Sequence, residues 1–315
     1  GKNVNVLAVR GNFDECQSAV KKIFTSEECK EELKGKGVVL SSANSINFGR
    51  LAPQIAYYFS AYLDLVSSEQ IKMGDPVDFA VPTGNFGNIL AAYYAKRMGL
   101  PVGKLICASN KNNVLTDFIR TGKYDKRREF FKTMSPSMDI LISSNLERLL
   151  FELSGREPKR IKLRMDKLAS EGVYEIYDEE REELSKLFWA DFCGEDETVE
   201  TIYEFFEEYQ YPMDTHTACA MYAAANYMAG EETKDGNPMV VVSTASPYKF
   251  PQDVMYAVTG NDIKDSFKAI KHLNIATAMK VPASLSKLRD KPIRFKETAD
   301  KDKLYAKVLE FIDKK

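Results

Sequence analysis

The chain has 315 residues, 44% hydrophobic and 29% charged, enough for one large or two modest domains with true cores. Lys and Arg number 44 against 46 Asp and Glu, a formal net charge of −2, which lacks the electrostatic footprint of a nucleic-acid binder. No apolar run approaches the roughly 20 residues that a membrane-spanning helix requires. Five scattered cysteines (Cys16, Cys29, Cys107, Cys193 and Cys219) without a Cys-x-x-Cys pair point to free thiols in a reducing compartment, hence the cytoplasm. Two histidines, His216 and His272, nearly exclude a zinc site and leave little material for a Ser-His-Asp triad.

The opening Gly1-Lys2-Asn3 carries no initiator Met and no signal-peptide pattern, and a strand over 5–9 begins at once, so a fragment with an upstream part missing is expected. A turn at Gly11-Asn12-Phe13-Asp14, a helix over 15–24 and a short strand over 37–41 follow. Ile55, Tyr58, Phe59, Tyr62, Leu63 and Val66 recur at three- and four-residue steps and predict one amphipathic helix over 51–66, with Pro53 in its first turn. A buried strand over 78–81, a loop over 82–87, a helix over 88–98 ended by Gly99 and Pro101, and a strand over 103–108 make a β-loop-α-β unit. Beyond it a strand over 139–142 and a helix over 146–153 are expected. Residues 156–210 are dense in Lys, Glu and Asp at helical spacing, read as solvated helix faces. A helix over 215–229 capped by Asp214 or Thr215, a buried strand over 239–242 and an amphipathic helix over 303–312 complete the chain. Alternating strands and helices indicate an α/β fold with open, mostly parallel twisted sheets and flanking helices. Two domains are expected, 1–75 with a crossing helix and 76–315 with the charged insert.

Three loops have the composition of binding sites. Pro82-Thr83-Gly84-Asn85-Phe86-Gly87-Asn88 joins a buried strand to a helix start, where exposed amides favour an anion such as phosphate; the same pattern serves as a plain tight turn. It fits neither nucleotide fingerprint. The second loop, over 42–50, places Asn44, Ser45, Asn47 and the Arg50 fork just before a helix, suited to a phosphate or carboxylate or to helix capping. The third, over 243–251, leaves a buried strand at its carboxyl end, where α/β sheets collect ligands; Thr244 offers a hydroxyl to a ring nitrogen or closes an ST-turn. His216 beside Asp214 reads either as a base with its orienting carboxylate or as a packed helix-start residue.

Together these segments resemble the threonine synthase family of pyridoxal-phosphate enzymes, of the tryptophan-synthase-β fold type II. Gly84-Asn85-Phe86-Gly87-Asn88 is similar to its cofactor-phosphate loop, and Ser45-Ile46-Asn47-Phe48-Gly49-Arg50 to its Ser-x-Asn-x-x-Arg segment. Asp214-Thr215-His216-Thr217-Ala218 resembles Asp-Pro-His-Thr-Ala, with Thr215 in place of Pro. Ser243-Thr244-Ala245-Ser246-Pro247 resembles the cofactor-ring segment, with Ser246 where many members have His. The Ser109–Asn113 run and the charged insert are similar to the longer family branch.

The resemblance implies pyridoxal 5′-phosphate held by Gly84, Asn85, Phe86, Gly87, Asn88 and Thr244. Ser45, Asn47 and Arg50 are implied to bind O-phospho-L-homoserine, which with water yields L-threonine and phosphate. It implies a cofactor-bonding lysine upstream of Gly1, hence no catalytic residue within this chain and an inactive chain on its own. Ser266-Phe267-Lys268-Ala269 follows the cofactor loops instead of preceding them, so Lys268 is read as a surface residue. No metal is expected, and an unpaired sheet edge favours self-association. Another lyase of the same fold type, such as threonine dehydratase or cysteine synthase, and a non-catalytic phospho-ligand-binding homologue stand as alternatives.

Overall fold

In the computed structural model the described residues are all but 1, 2, 12, 231–235 and 315. The Gly11–Asp14 turn therefore lies partly outside them, at Asn12. Two compact units are present, Gly1–Ser42 with Ala283–Lys315, and Ala43–Pro282. The helical stretch over 51–66, grouped from sequence with the first segment, is in the larger unit, and 283–315 is in the smaller.

Eight strands occur among the described residues: β1 Ala8–Arg10, β2 Val77–Pro82, β3 Val102–Ser109, β4 Lys123–Asp125, β5 Val173–Glu175, β6 Phe188–Phe192, β7 Met239–Val241 and β8 Thr298–Asp300. In the smaller unit β1 and β8 pair in parallel, beside helices Phe13–Thr25, Glu27–Gly35 and Leu304–Asp313. In the larger unit β6, β3, β2 and β7 lie side by side in that order, all parallel, and β4 and β5 form a separate antiparallel pair. The mostly parallel α/β fold is thus observed.

Every residue of β2 is buried, the apolar continuity that a parallel strand covered on both faces demands. Its alternate side chains serve two layers. Phe79 meets Tyr58 of the Ile55–Ser67 helix edge-on at 5.1 Å. Ala80, with Ile106 and Ala108 of β3, packs on Ala220, Ala223 and Ala224 of the Thr215–Ala229 helix. Small side chains on both surfaces bring that helix close to the sheet.

Several expectations change. No strand forms over 37–41, where Val39 is 87% exposed and no neighbouring strand bonds the backbone. None forms over 139–142, because side chains take up the backbone groups there: Tyr124 donates to the Leu141 carbonyl and accepts from the Ser143 N–H. The single helix over 51–66 is instead a helix Phe48–Leu51, a 3₁₀ turn Ala52–Gln54 holding Pro53, and a helix Ile55–Ser67; Leu63 is exposed. The charged insert is not only solvated helix. It contributes β6 to the main sheet, and its Arg164 and Glu180 side chains form a buried ion pair.

Candidate active site

Register brings two of the three loops together. Ala80 of β2 pairs with Val241 of β7, so Thr83 and Thr244 each lie three residues beyond a paired position at the carboxyl edge of the sheet. The Val242 N–H continues the pairing onto the Ala80 carbonyl at 2.9 Å. From β2 the sheet grows to β3 and β6 on one side, while β7 sits on the other. The crevice between β2 and β7 is therefore where the strand order reverses, the place at which such sheets bind ligands.

A cleft of about 550 Å³ opens at this point. Its walls carry Gly84 to Asn88, Thr244, Ser45 and Arg50, so eight of the nine sequence-derived binding residues meet in one cavity. Asn47 does not line it. Its side chain accepts the Gly49 N–H at 2.8 Å and caps the short helix bearing Arg50. The Phe86 side chain is likewise no ligand group, since it is buried in the core against Phe188.

Phe86 instead contributes backbone. At φ +61° it takes a left-handed conformation directly before the helix Gly87–Arg97. A change of hand of this kind converges successive N–H groups on an anion, and the helix start adds its partial positive charge. A non-glycine residue held at positive φ also costs local backbone strain. Gly84 is required for a different reason: a Cβ there would lie 2.8 Å from the Ser137 carbonyl oxygen and 3.0 Å from Met138 Cα. Gly87 is less crowded, with Asn145 Nδ2 at 3.5 Å from its Cβ position.

The segment Ser143-Ser144-Asn145 ties the loops together. Ser143 Oγ donates to the Gly84 carbonyl at 2.8 Å and Ser144 Oγ to Asn85 Oδ1 at 3.0 Å. Asn145 Nδ2 donates to the carbonyls of Asn85 and Ser45, each at 2.9 Å. One amide thus joins the 82–88 loop to the 42–50 loop. Tyr58 OH donates to Asn88 Oδ1 at 2.7 Å and fixes the far side of the helix start. Sequence reasoning missed 143–145 because the contacts are nearly 60 and 100 residues apart in the chain.

Behind the cleft, buried polar side chains fix the 131–139 segment. Asp139 Oδ1 accepts from Asn110 Nδ2 at 2.8 Å, Asn112 Nδ2 at 3.1 Å and Thr133 Oγ1 at 2.7 Å. This buried network is what the Ser109–Asn113 run does, and it carries Ser137 and Met138 to the cleft wall.

His216 lines the cleft and Asp214 is fully buried behind it. Burial opposes the charge on Asp214, but hydrogen bonds from His216 and Thr217 outweigh it and hold the carboxyl below its ordinary range. The imidazole Nε2 accepts the Ser137 N–H at 3.1 Å, so no serine hydroxyl is activated and no triad forms here. The Cys107 thiol, in the core beside Thr83, is pushed up to about 12 by burial and stays neutral. Among the described residues no group of three His, Cys, Asp or Glu is arranged to hold a metal. Lys268 lies on the exposed side of the Ser266–Thr277 helix, as expected. Lys249 was not singled out by sequence; it lines the cleft with Arg50, and among the described residues no carboxylate side chain does. It stands on a fixed turn, with Ser246 Oγ accepting the Tyr248 N–H and Tyr248 OH donating to the Met279 carbonyl.

Comparison with known proteins bears on the fold. The family described as Threonine synthase, C-terminal, matches residues 217–312. Human threonine synthase-like 1 is 44% identical over 263 residues, 82% of this chain and 35% of that protein. Threonine synthase from Pseudomonas aeruginosa is 40% identical over 260 residues, 82% of this chain and 52% of its own. The crystal structure of pyridoxal-phosphate-bound threonine synthase from Brucella melitensis superimposes with a TM-score of 0.80 at 36% identity, covering 98% of this chain and 59% of that one. The chain thus spans about a third to three-fifths of these relatives. It has the fold of the threonine synthase family and corresponds to the carboxyl-terminal portion of its members.

Proposed function

We propose that the cleft binds pyridoxal 5′-phosphate and that the protein bearing this chain converts O-phospho-L-homoserine and water into L-threonine and phosphate. The observation that carries this reading is the meeting, in one cleft without a carboxylate, of an anion-binding helix start, a hydroxyl on the neighbouring strand loop and an arginine fork. The Gly84–Asn88 backbone fits a phosphate monoester, with side chains kept clear by Gly84 and Gly87. Thr244 offers its hydroxyl to the ring nitrogen. When bound, the pyridoxal ring supplies an electron sink for loss of protons beside the departing group. Arg50 and Ser45 hold the phosphate that leaves, Arg50 through charge-assisted bonds. Asn47 acts on Arg50 indirectly, by capping its helix. Lys249 adds an ammonium charge to the cleft beside the Arg50 guanidinium, which suits a ligand carrying both phosphate and carboxylate.

Free thiols at all five cysteines accord with a reducing compartment, and we place the protein in the cytoplasm. Among the described residues no helix is long and apolar enough to cross a membrane. Self-association through the outer edges of the two-stranded β1–β8 sheet is part of the same proposal.

The direct test is an assay of the full-length protein with phosphohomoserine, following threonine and inorganic phosphate together. Equimolar release of both is expected. A 2-oxo acid formed from threonine would assign a dehydratase instead. Ligand binding without turnover would assign a phospho-ligand-binding homologue.

The cofactor-bonding lysine is assigned outside residues 1–315. Borohydride reduction of the full-length protein with bound cofactor, followed by peptide mapping, is expected to place the phosphopyridoxyl group on such a lysine. A stoichiometric label on Lys249 would give that role to the cleft lysine, and one on Lys268 would contradict the site altogether.

A further inference from the structure

Asp214 touches neither of the two loops proposed to face the cofactor, but the two side chains it holds, His216 and Thr217, accept from the Ser137 N–H, beside Gly84, and from the Thr244 N–H. We infer that Asp214 is a positioning residue that holds Ser137 against the phosphate loop through the tautomer of His216, and Thr244 through the hydroxyl of Thr217. The inference rests on the cofactor reading above for its consequence, but not for its geometry.

The tautomer follows from donors and acceptors. Thr215 Oγ1 donates its only proton to the Met134 carbonyl at 2.7 Å, so its 3.4 Å contact with His216 Nδ1 requires Nδ1 to be the donor. The same Nδ1–H faces Asp214 Oδ1 at 3.2 Å. Nε2 is then left with a lone pair, which accepts the Ser137 N–H at 3.1 Å. Ser137 is the residue whose carbonyl lies against Gly84. On the other arm, Thr217 Oγ1 donates to Asp214 Oδ2, and its lone pair faces the Thr244 N–H at 3.4 Å. One carboxylate thus orders two segments that line the cleft, in the way that carboxylates fix ligand histidines from behind.

Asp214→Asn separates this role from simple helix capping, because asparagine caps a helix start as well as aspartate. The capping oxygen Oδ1 is also the one that faces His216 Nδ1, so a capping asparagine keeps its oxygen there and turns its N–H toward Thr217 Oγ1. It disturbs the Thr217 arm and leaves the His216 arm its acceptor, whereas Asp214→Ala removes the acceptor from both. The experiment uses the full-length protein with 15N-labelled histidine, the His216 ring being assigned by its loss in His216→Gln. Wild type should show the Nδ1–H tautomer and a protected Ser137 amide. Asp214→Ala should shift the ring toward Nε2–H, speed Ser137 amide exchange at least tenfold, and raise the dissociation constant for pyridoxal phosphate at least tenfold, whereas Asp214→Asn should keep the Nδ1–H tautomer and the Ser137 protection and weaken cofactor binding by a smaller factor. Thr217→Val should leave the tautomer alone and weaken cofactor binding by a smaller factor. An Asp214→Ala protein with wild-type tautomer, Ser137 exchange and affinity would overturn the inference. So would a Thr217→Val protein that binds the cofactor as wild type does. Wild-type protein that fails to bind pyridoxal phosphate would sink the proposed cofactor, and the tautomer and exchange data would still decide whether Asp214 holds Ser137.

Discussion

Arg50→Ala in the full-length protein is expected to lower kcat/KM for phosphohomoserine by roughly tenfold to a hundredfold or more, with cofactor content near normal. Arg50 lies on the cleft wall opposite no carboxylate, and its Nη1 donates to the Ala43 carbonyl at 3.3 Å, so most of its fork is available to a ligand. Each charge-assisted hydrogen bond removed is worth about 1.5–3 kcal/mol, and 1.4 kcal/mol is about a factor of ten. Arg50→Lys should recover only part of the loss, because a point charge does not reproduce a planar fork. Cofactor absorbance and the rate on phosphohomoserine separate the two phosphate sites. Loss of cofactor with substrate affinity retained would reverse their assignment.

Gly84→Val is expected to weaken pyridoxal phosphate binding by a hundredfold or to abolish it. The added Cβ would meet two backbone atoms within 3.0 Å, and backbone cannot swing aside as a side chain can. Accommodating it requires moving either the 84–88 turn or the 137–138 segment, and both border the proposed phosphate position. Overpacking of this kind also costs about 1–3 kcal/mol of stability. Gly87→Ala is the control: its Cβ makes ordinary contact with Asn145, so its fold should be undisturbed. Calorimetric titration with pyridoxal phosphate and a melting curve for both variants check this. Equal affinities in Gly84→Val and wild type would free the 84–88 turn of any binding role.

Local patterns read well where local forces decide. The helix over 146–153 and the helix over 215–229 with its Asp214 cap are where apolar spacing and capping chemistry place them. β2 was legible because a buried parallel strand is apolar throughout. β6 was not: Phe188–Phe192 follows the helix ending at Leu187 without a glycine or proline between them, and its charged surroundings hide it. The apolar run over 37–41 shows the converse, since apolar residues alone do not make a strand without a partner.

In the site, eight of nine candidates converge because their loops leave paired strands or precede a helix start. Asn47 and the Phe86 side chain fell out for one shared reason. Sequence shows that a residue is near a turn, not whether its side chain caps, packs or faces the cleft. The stitching by Ser143, Ser144 and Asn145 was invisible, since its partners are distant in the chain.

The most direct measurement is the electron density of pyridoxal phosphate bound to the full-length protein. A phosphate peak is expected at the start of the Gly87–Arg97 helix, within hydrogen-bonding distance of the 84–88 backbone, with the ring nitrogen toward Thr244. A phosphate seated on Arg50, or a cofactor bound elsewhere while this cleft takes none, would contradict it.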